Sequence, residues 1–237
     1  MREGYWAIRT IKAGLVGEKI KYFVPGKKPT RSDRKLKAEI RKQEQNDKNA
    51  VRRLARALNE NYRAGRDILL TLDYAIAPES RKEAEHILRL WLERVRRSCK
   101  KKGVLLRYVA VSSDMDAKTG EIVRWHHHVV INAEAAELAK EKWTAGGTNR
   151  EKLYGKDLTP LAEYLLVQVR REVPNEKKYI PSRNMKQPQI TDRIVRGESL
   201  LSVPRGGMEL YRGVHIPGRP QYVRYLLPQY GEERSEE

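Results

Sequence analysis

The residues most capable of chemistry lie in the run Arg124-Trp125-His126-His127-His128-Val129-Val130-Ile131-Asn132, which holds three of the five histidines in the chain. On an extended strand alternate side chains share a face, so His126 and His128 project together and His127 opposes them. Two imidazoles so placed bind one divalent metal and leave coordination positions open for substrate oxygens. A surface histidine cluster is the plainer alternative. Against it, the run leads into a wholly apolar stretch predicted to lie mid-sheet, where an imidazole without partners is costly to bury. A two-histidine site for Mg²⁺ or Mn²⁺ also calls for an oxygen ligand. Asp114, Asp116 and Glu121 precede the histidines in the same hairpin. Asp114 ends a strand whereas Asp116 lies in the turn, so Asp114 is the expected third ligand.

A nucleophile is the next requirement. Tyr164 sits in the predicted helix Leu161-Ala162-Glu163-Tyr164-Leu165-Leu166-Val167-Gln168. A tyrosine there can simply pack its ring and leave its hydroxyl at the rim. It is equally the residue that attacks a phosphodiester and stores the bond as a phosphotyrosyl ester. A metal that polarises the phosphate lowers the barrier to cleavage and rejoining alike. Tyr179 is the second candidate.

Composition narrows the partner. The 237 residues hold 49 Lys+Arg against 31 Asp+Glu, a formal net charge of +18. An excess of that size surrounds the surface with a positive field that attracts polyanions and releases their counterions, so nucleic acid is the expected partner. An anionic membrane is not expected, because no segment pairs a clean apolar face with a basic one. Cys99 is the only cysteine, which excludes internal disulfides and cysteine-based zinc fingers. The first residues hold no apolar signal core and no run reaches transmembrane length, so a soluble, cytoplasmic protein is expected.

Several elements must position these groups. Residues 5–24 read as one or two strands, broken by Pro25-Gly26-Lys27-Lys28-Pro29. A highly charged helix with sparse apolar residues is predicted from about Ser32 to Tyr62, as a solvated arm or a DNA-contacting one. Ile68-Leu69-Leu70-Thr71-Leu72 is a buried-type strand. Pro78-Glu79-Ser80 opens an amphipathic helix running to Lys100, with Ala84, Ile87, Leu88, Trp91, Leu92 and Val95 on its apolar face. A hairpin of strands 104–112 and 121–132 follows, then helices over 133–143 and 159–171. This order predicts an α+β fold, a central antiparallel sheet with helices on one face. Residues 1–65 are expected to be a basic N-terminal extension with the charged helix, 66–190 the catalytic domain, and 191–237 a C-terminal extension with little periodicity.

Together these segments resemble the HUH endonucleases, in particular the phage- and plasmid-type replication-associated proteins of bacteria. Leu70-Thr71-Leu72-Asp73-Tyr74 is similar to their first motif, and His126-His127-His128 to their His-hydrophobic-His motif with a histidine in the middle. Leu161 to Tyr164 resembles the Leu-Ala-x-Tyr helix, and Ser182-Arg183-Asn184-Met185-Lys186 a Ser-Arg-Asn-Leu segment that contacts DNA or supports the structure. The likeness covers about residues 45–190. It implies a βαββαβ HUH/RRM-like sheet with His126 and His128 on a central strand and a divalent metal as cofactor. It further implies metal-dependent nicking and joining of single-stranded DNA at a replication origin, with the 5′ phosphate held on Tyr164. Rolling-circle replication of a plasmid or phage, with a host helicase and polymerase, is the expected setting; mobilisation or transposition uses the same chemistry, and a non-catalytic nucleic-acid binder is the alternative from another class. Arg124, Gln168, Arg171, Arg183, Asn184 and Lys186 are the expected DNA contacts. Many relatives carry Lys three residues after the tyrosine; Val167 stands there, with Gln168 or Arg171 able to face the same site.

Overall fold

The computed structural model describes residues 4–26, 39–169, 177–197 and 199–228. The expected start of the charged helix near Ser32, and Arg171, lie outside them. The chain divides into two units, Ala50–Lys186 and the two chain ends together.

The first unit is built on a five-stranded sheet of β3 (Ile68–Asp73), β4 (Tyr108–Met115), β5 (Ile122–Ile131), β6 (Thr148–Lys152) and β7 (Ile180–Pro181). Their order is β6-β3-β5-β4-β7, with every neighbouring pair antiparallel and β5 in the middle. Four helices accompany the strands: α1 (Glu39–Asn61), whose residues from Ala50 belong to this unit, α2 (Arg81–Lys101), α3 (Ala133–Glu141) and α4 (Thr159–Val167). From Ile68 to Lys152 the element order is β-α-β-β-α-β.

Helices cover both faces of this sheet, not one. On one side α2 and α3 bury Leu88, Trp91, Val95, Ala135 and Ala139 against Ile68, Leu70, Leu72, Ala110, Val129 and Ile131. On the other, Leu54 and Leu58 of α1 join Ala162 and Leu165 of α4 over Val109, Val111 and Val130. The runs Tyr108 to Val111 and Val129 to Ile131 are apolar at every position, as strands covered on two sides must be. The second cover was hard to anticipate because α1 has so few apolar residues. Two of them, Leu54 and Leu58, four apart on one stripe, nonetheless carry its packing.

Local signals set the helix limits. The Ser80 hydroxyl accepts from the Glu83 amide, and the Glu83 carboxylate accepts from the Glu79 amide, so two otherwise orphaned donors are satisfied where α2 begins. Gly103, at φ +68°, supplies the left-handed turn just past its end. At α4, Asp157 accepts from the amide and hydroxyl of Thr159, and Asn59 of α1 brackets the same turn by accepting from the Leu158 amide.

The chain ends form a separate sheet of β1 (Tyr5–Ala13), β2 (Val16–Val24), β8 (Gln189–Val195), β9 (Met208–Arg212) and β10 (Gln221–Leu226), in the order β8-β1-β2-β10-β9. The segments expected to be N- and C-terminal extensions thus pair with each other, and the division between the two units falls near residues 49 and 187. β8 is almost wholly exposed, and its sequence QITDRIV lacks the apolar alternation that marks a half-buried strand. Lys21 is fully buried in this unit, its ammonium donating to the Ser199 carbonyl at 2.7 Å.

Trp91 is fully buried, and its indole N–H donates to the Ala139 carbonyl at 3.0 Å. Trp91→Ala is expected to cost about 3–5 kcal/mol. Its exposed neighbour in the same helix, Leu90→Ala, should cost about 0.5 kcal/mol or less. Urea denaturation of the two variants checks this; equal losses would contradict the placement of the α2 core face.

Candidate active site on the central strand

The pairing of β5 with its neighbours decides what surrounds the histidines. Thr71, His128 and Val111 stand side by side across three strands, as do Asp73, His126 and Ser113 one pair further on. His126 and His128 share the face covered by α1 and α4; their rings meet edge to face with centroids 4.9 Å apart. Tyr164, from the middle of α4, places its ring 5.6 Å from that of His128 and is 42% exposed.

The hydrogen bonds fix the imidazoles. His126 Nδ1 donates to the Arg124 carbonyl at 3.0 Å, which leaves Nε2 with its lone pair. Gln168 caps the end of α4 with its side-chain amide donating to the Tyr164 carbonyl at 2.9 Å, which turns Oε1 toward His128 Nε2 at 3.3 Å. That oxygen only accepts, so His128 carries its proton on Nε2 and takes the Thr71 hydroxyl at Nδ1, 3.2 Å away. Ser113 Oγ donates to the Gln168 carbonyl at 2.5 Å and ties the end of α4 to β4. One side chain, Gln168, therefore links the tyrosine's backbone to the histidine's ring.

On the opposite face His127 is sealed in. Tyr74 donates to the Ala84 carbonyl and accepts from His127 Nε2 at 2.6 Å, while Ser112 donates to Nδ1 at 2.9 Å. Burial, then the neighbouring histidines, push its pKa down to about 3. Burial and His126 likewise lower His128 to about 4, against the opposing effect of the Gln168 hydrogen bond. Both rings are neutral near pH 7, the state in which an imidazole ligates a metal.

The donors here suit a divalent metal: His126 Nε2, His128 Nε2 once its proton is displaced, and the Gln168 amide oxygen, with Thr71 left to orient His128 through Nδ1. Asp114, the expected third ligand, is buried near the end of β4. Among the described residues no three His, Cys, Asp or Glu side chains gather as a metal cluster. A bulge between Ser113 and Met115 disturbs the alternation there, and Ser113 rather than Asp114 stands beside His126. Asp116 serves its turn, accepting from the amides of Lys118 and Thr119.

The remaining expected residues divide. Gln168 is at the site. Arg124 donates to the carbonyls of Tyr74 and Ala75, bracing the loop after β3. Asn184 donates to the Leu106 carbonyl, and Lys186 exchanges two backbone hydrogen bonds with the Asn61 side chain. With Ser182 joined to both backbone groups of Tyr108, the Ser182–Lys186 segment is a clamp across β4 and α1. Arg183 is the one residue of it that is exposed and makes no such bond to a described residue. Tyr179 packs partly buried against the core between α1 and α4. Sequence reasoning missed Thr71 and Ser113 as supports. Their signal was polarity in otherwise apolar strands, legible only once the register places both beside the histidines. Comparison with protein-family models, curated proteins and solved structures found no match to this chain.

Because the folded pKa values of His127 and His128 lie below the unfolded value of about 6.5, the unfolded chain takes up protons first as pH falls. Stability should be complete above pH 6.5 and decline toward pH 4. Each histidine contributes a loss of about 2 kcal/mol between pH 7 and pH 5. Urea titrations with chelator present measure it. His127→Phe should lower stability at pH 7 yet remove one histidine's share of the acid loss; an unchanged pH slope in that variant would refute the assignment.

Proposed function

We propose that the protein is a metal-dependent endonuclease that nicks and rejoins single-stranded DNA through Tyr164, initiating rolling-circle replication of a plasmid or phage. The observation that carries this reading is the contact of an exposed helix tyrosine with a paired-histidine face on the central strand, with Gln168, Thr71 and Ser113 holding His128 and the tyrosine helix and the Arg124 carbonyl orienting His126. The β-α-β-β-α-β order around that strand supports assigning the unit to the HUH/RRM-like class of sheets, and the net charge of +18 suits a DNA partner.

The Tyr164 hydroxyl oxygen attacks phosphorus. The new O–P bond forms as the P–O3′ bond breaks, the 5′ phosphate stays on tyrosine, and the leaving 3′ oxygen gains a proton as tyrosine loses one. Rejoining reverses each step. A Mg²⁺ or Mn²⁺ ion held by His126, His128 and Gln168 would supply the Lewis acid that polarises the scissile phosphate. His128 enters this chemistry neutral because burial and the neighbouring His126 disfavour its charged form. Gln168 keeps the tyrosine helix and the histidine pair in one register. The freed 3′ hydroxyl suits a polymerase primer, and with one tyrosine at the site, a second protomer or second nucleophile completes termination.

The test is a gel assay of end-labelled single-stranded DNA from the protein's own replicon with Mn²⁺. Wild type should give DNA covalently attached to protein, lost with chelator. Tyr164→Phe should abolish the adduct and lower cleavage by more than about 10³-fold. His126→Ala/His128→Ala should do the same, and Thr71→Val should weaken apparent metal affinity by about 10- to 100-fold. Cleavage that survives Tyr164→Phe without an adduct would mean a hydrolytic nuclease, and binding with no cleavage a non-catalytic protein.

A further inference from the structure

The proposed reaction uses one face of the sheet in Ala50–Lys186; the other carries a concentration of charge left unused. Helix α2 is divided along its length. In its first half Arg81 and Arg89 both pair with Glu85. Its far end, from Arg94 to Lys102, holds Arg94, Arg96, Arg97, Lys100, Lys101 and Lys102 with Glu93 as the nearest acid in sequence. None of these six makes an ion pair with a described residue.

Two grooves flank this end of the helix. One, of about 630 Å³, is lined by Arg94, Arg97, Lys101 and Lys102 together with the Glu141–Lys142 pair at the end of α3, so its cations outnumber its single acid. The other, of about 450 Å³, is lined by Arg96 and Lys100 together with Arg183 from the segment after β7. Cations from three separate elements converge on one surface. A helix's negative end accounts for the lysines of the last turn of α2 and for Lys142 at the end of α3, which also pairs with Glu141, but not for the arginines before them or for Arg183. Like charges gathered so closely oppose folding by mutual repulsion, and a polyanion relieves that repulsion.

The form of the polyanion follows from what the grooves lack. Proteins that grip single strands stack bases on aromatic rings. Tyr108 provides the only ring lining either groove, and it is buried. A rigid helix bearing cations along two flanks and no accessible ring suits phosphates in fixed rows, as a duplex presents them. α2 packs on the face bearing Leu70 and Val129, whereas Tyr164 and His128 lie on the other.

We infer that the C-terminal half of α2, with Lys142 and Arg183, is a docking surface for the phosphate backbone of duplex DNA, separate from the nicking site. The identity of the polyanion rests on the nickase reading. The protein would hold a duplex on one face while a single strand reaches the other, and the bond between the two would weaken steeply with salt.

The experiment measures binding, so its outcome is independent of catalysis. Arg96→Gln/Arg97→Gln/Lys100→Gln/Lys101→Gln alters exposed positions only. Fluorescence anisotropy with a labelled 20-base-pair duplex and a labelled single strand gives affinities across a salt series. The variant should lose at least about 100-fold in duplex affinity at 0.1 M salt, with the log–log salt slope smaller by about 3 to 4. Its single-strand affinity should stay within about threefold. The charge-preserving Arg96→Lys/Arg97→Lys/Lys100→Arg/Lys101→Arg should bind duplex like the parent, with unchanged thermal stability in both variants as the folding control. Duplex affinity and slope unchanged in the Gln variant, or duplex and single-strand binding lost equally, would overturn the inference. Absence of a tyrosine adduct in the nicking assay would overturn the reaction and leave this measurement standing.

Discussion

The two-residue period of strand β5 is the constraint on which the site depends. β5 is the middle strand of a sheet covered on both sides, so each successive side chain must be accommodated by a different set of helices. Three consecutive histidines are therefore sent to unlike surroundings by backbone geometry alone. His127 enters the closed layer between the sheet and α2–α3, where Tyr74 and Ser112 satisfy both its nitrogens. His126 and His128 enter the layer beneath α1–α4, which opens at Tyr164. A one-residue slip of register would exchange the two environments. The Thr71–His128 and Ser112–His127 hydrogen bonds each lock the observed register on its own face.

Burial along β5 is graded, and the gradient matters for the chemistry. Its first residues, Ile122 to Arg124, are exposed, Trp125 and His126 are half-buried, and everything from His127 to Ile131 is buried. The paired histidines thus straddle the boundary between solvent and core. His128 is anchored in the core by Thr71 and Gln168, and His126 faces outward with its ring set by the Arg124 carbonyl. The arrangement presents one imidazole near solvent while the other stays fixed in the core. Ser113 and Asn59 complete the arrangement by holding the two ends of α4, so the tyrosine helix cannot shift without breaking hydrogen bonds to β4 and α1.

Much of the core unit was legible in the sequence because its signals are strong. The amphipathic stripe of α2, the turn between β4 and β5 and the alternation of the histidines all stand where their patterns place them. Three features were not legible, each for a physical reason. The contribution of α1 rests on Leu54 and Leu58 within a run of charges, too few to define a face before a partner surface is known. The bulge after Ser113 leaves no mark in composition yet shifts the register there and leaves Ser113 beside His126. Gln168 was noticed as one turn from Tyr164, but its link to His128 depends on the helix ending there, with the amide turned by the Tyr164 carbonyl. The segment Ser182–Lys186 stood out in the sequence for its residues, and the structure gives most of them to bracing.

The sheet made from the two chain ends bears on the order in which the molecule comes into being. β1 pairs with β8 across a register such as Trp6 with Val195, and β2 pairs with β10. During synthesis the hairpin of β1 and β2 is made before Ala50–Lys186, and its outer edges wait for β8 and β10, which come after that unit. The central unit, whose contacts close within its own span, can reach its packed state during that interval. The second sheet must wait for β8 to β10, and pays the entropy of joining segments nearly two hundred residues apart. The central unit can therefore be packed before β8, β9 and β10 reach the waiting hairpin.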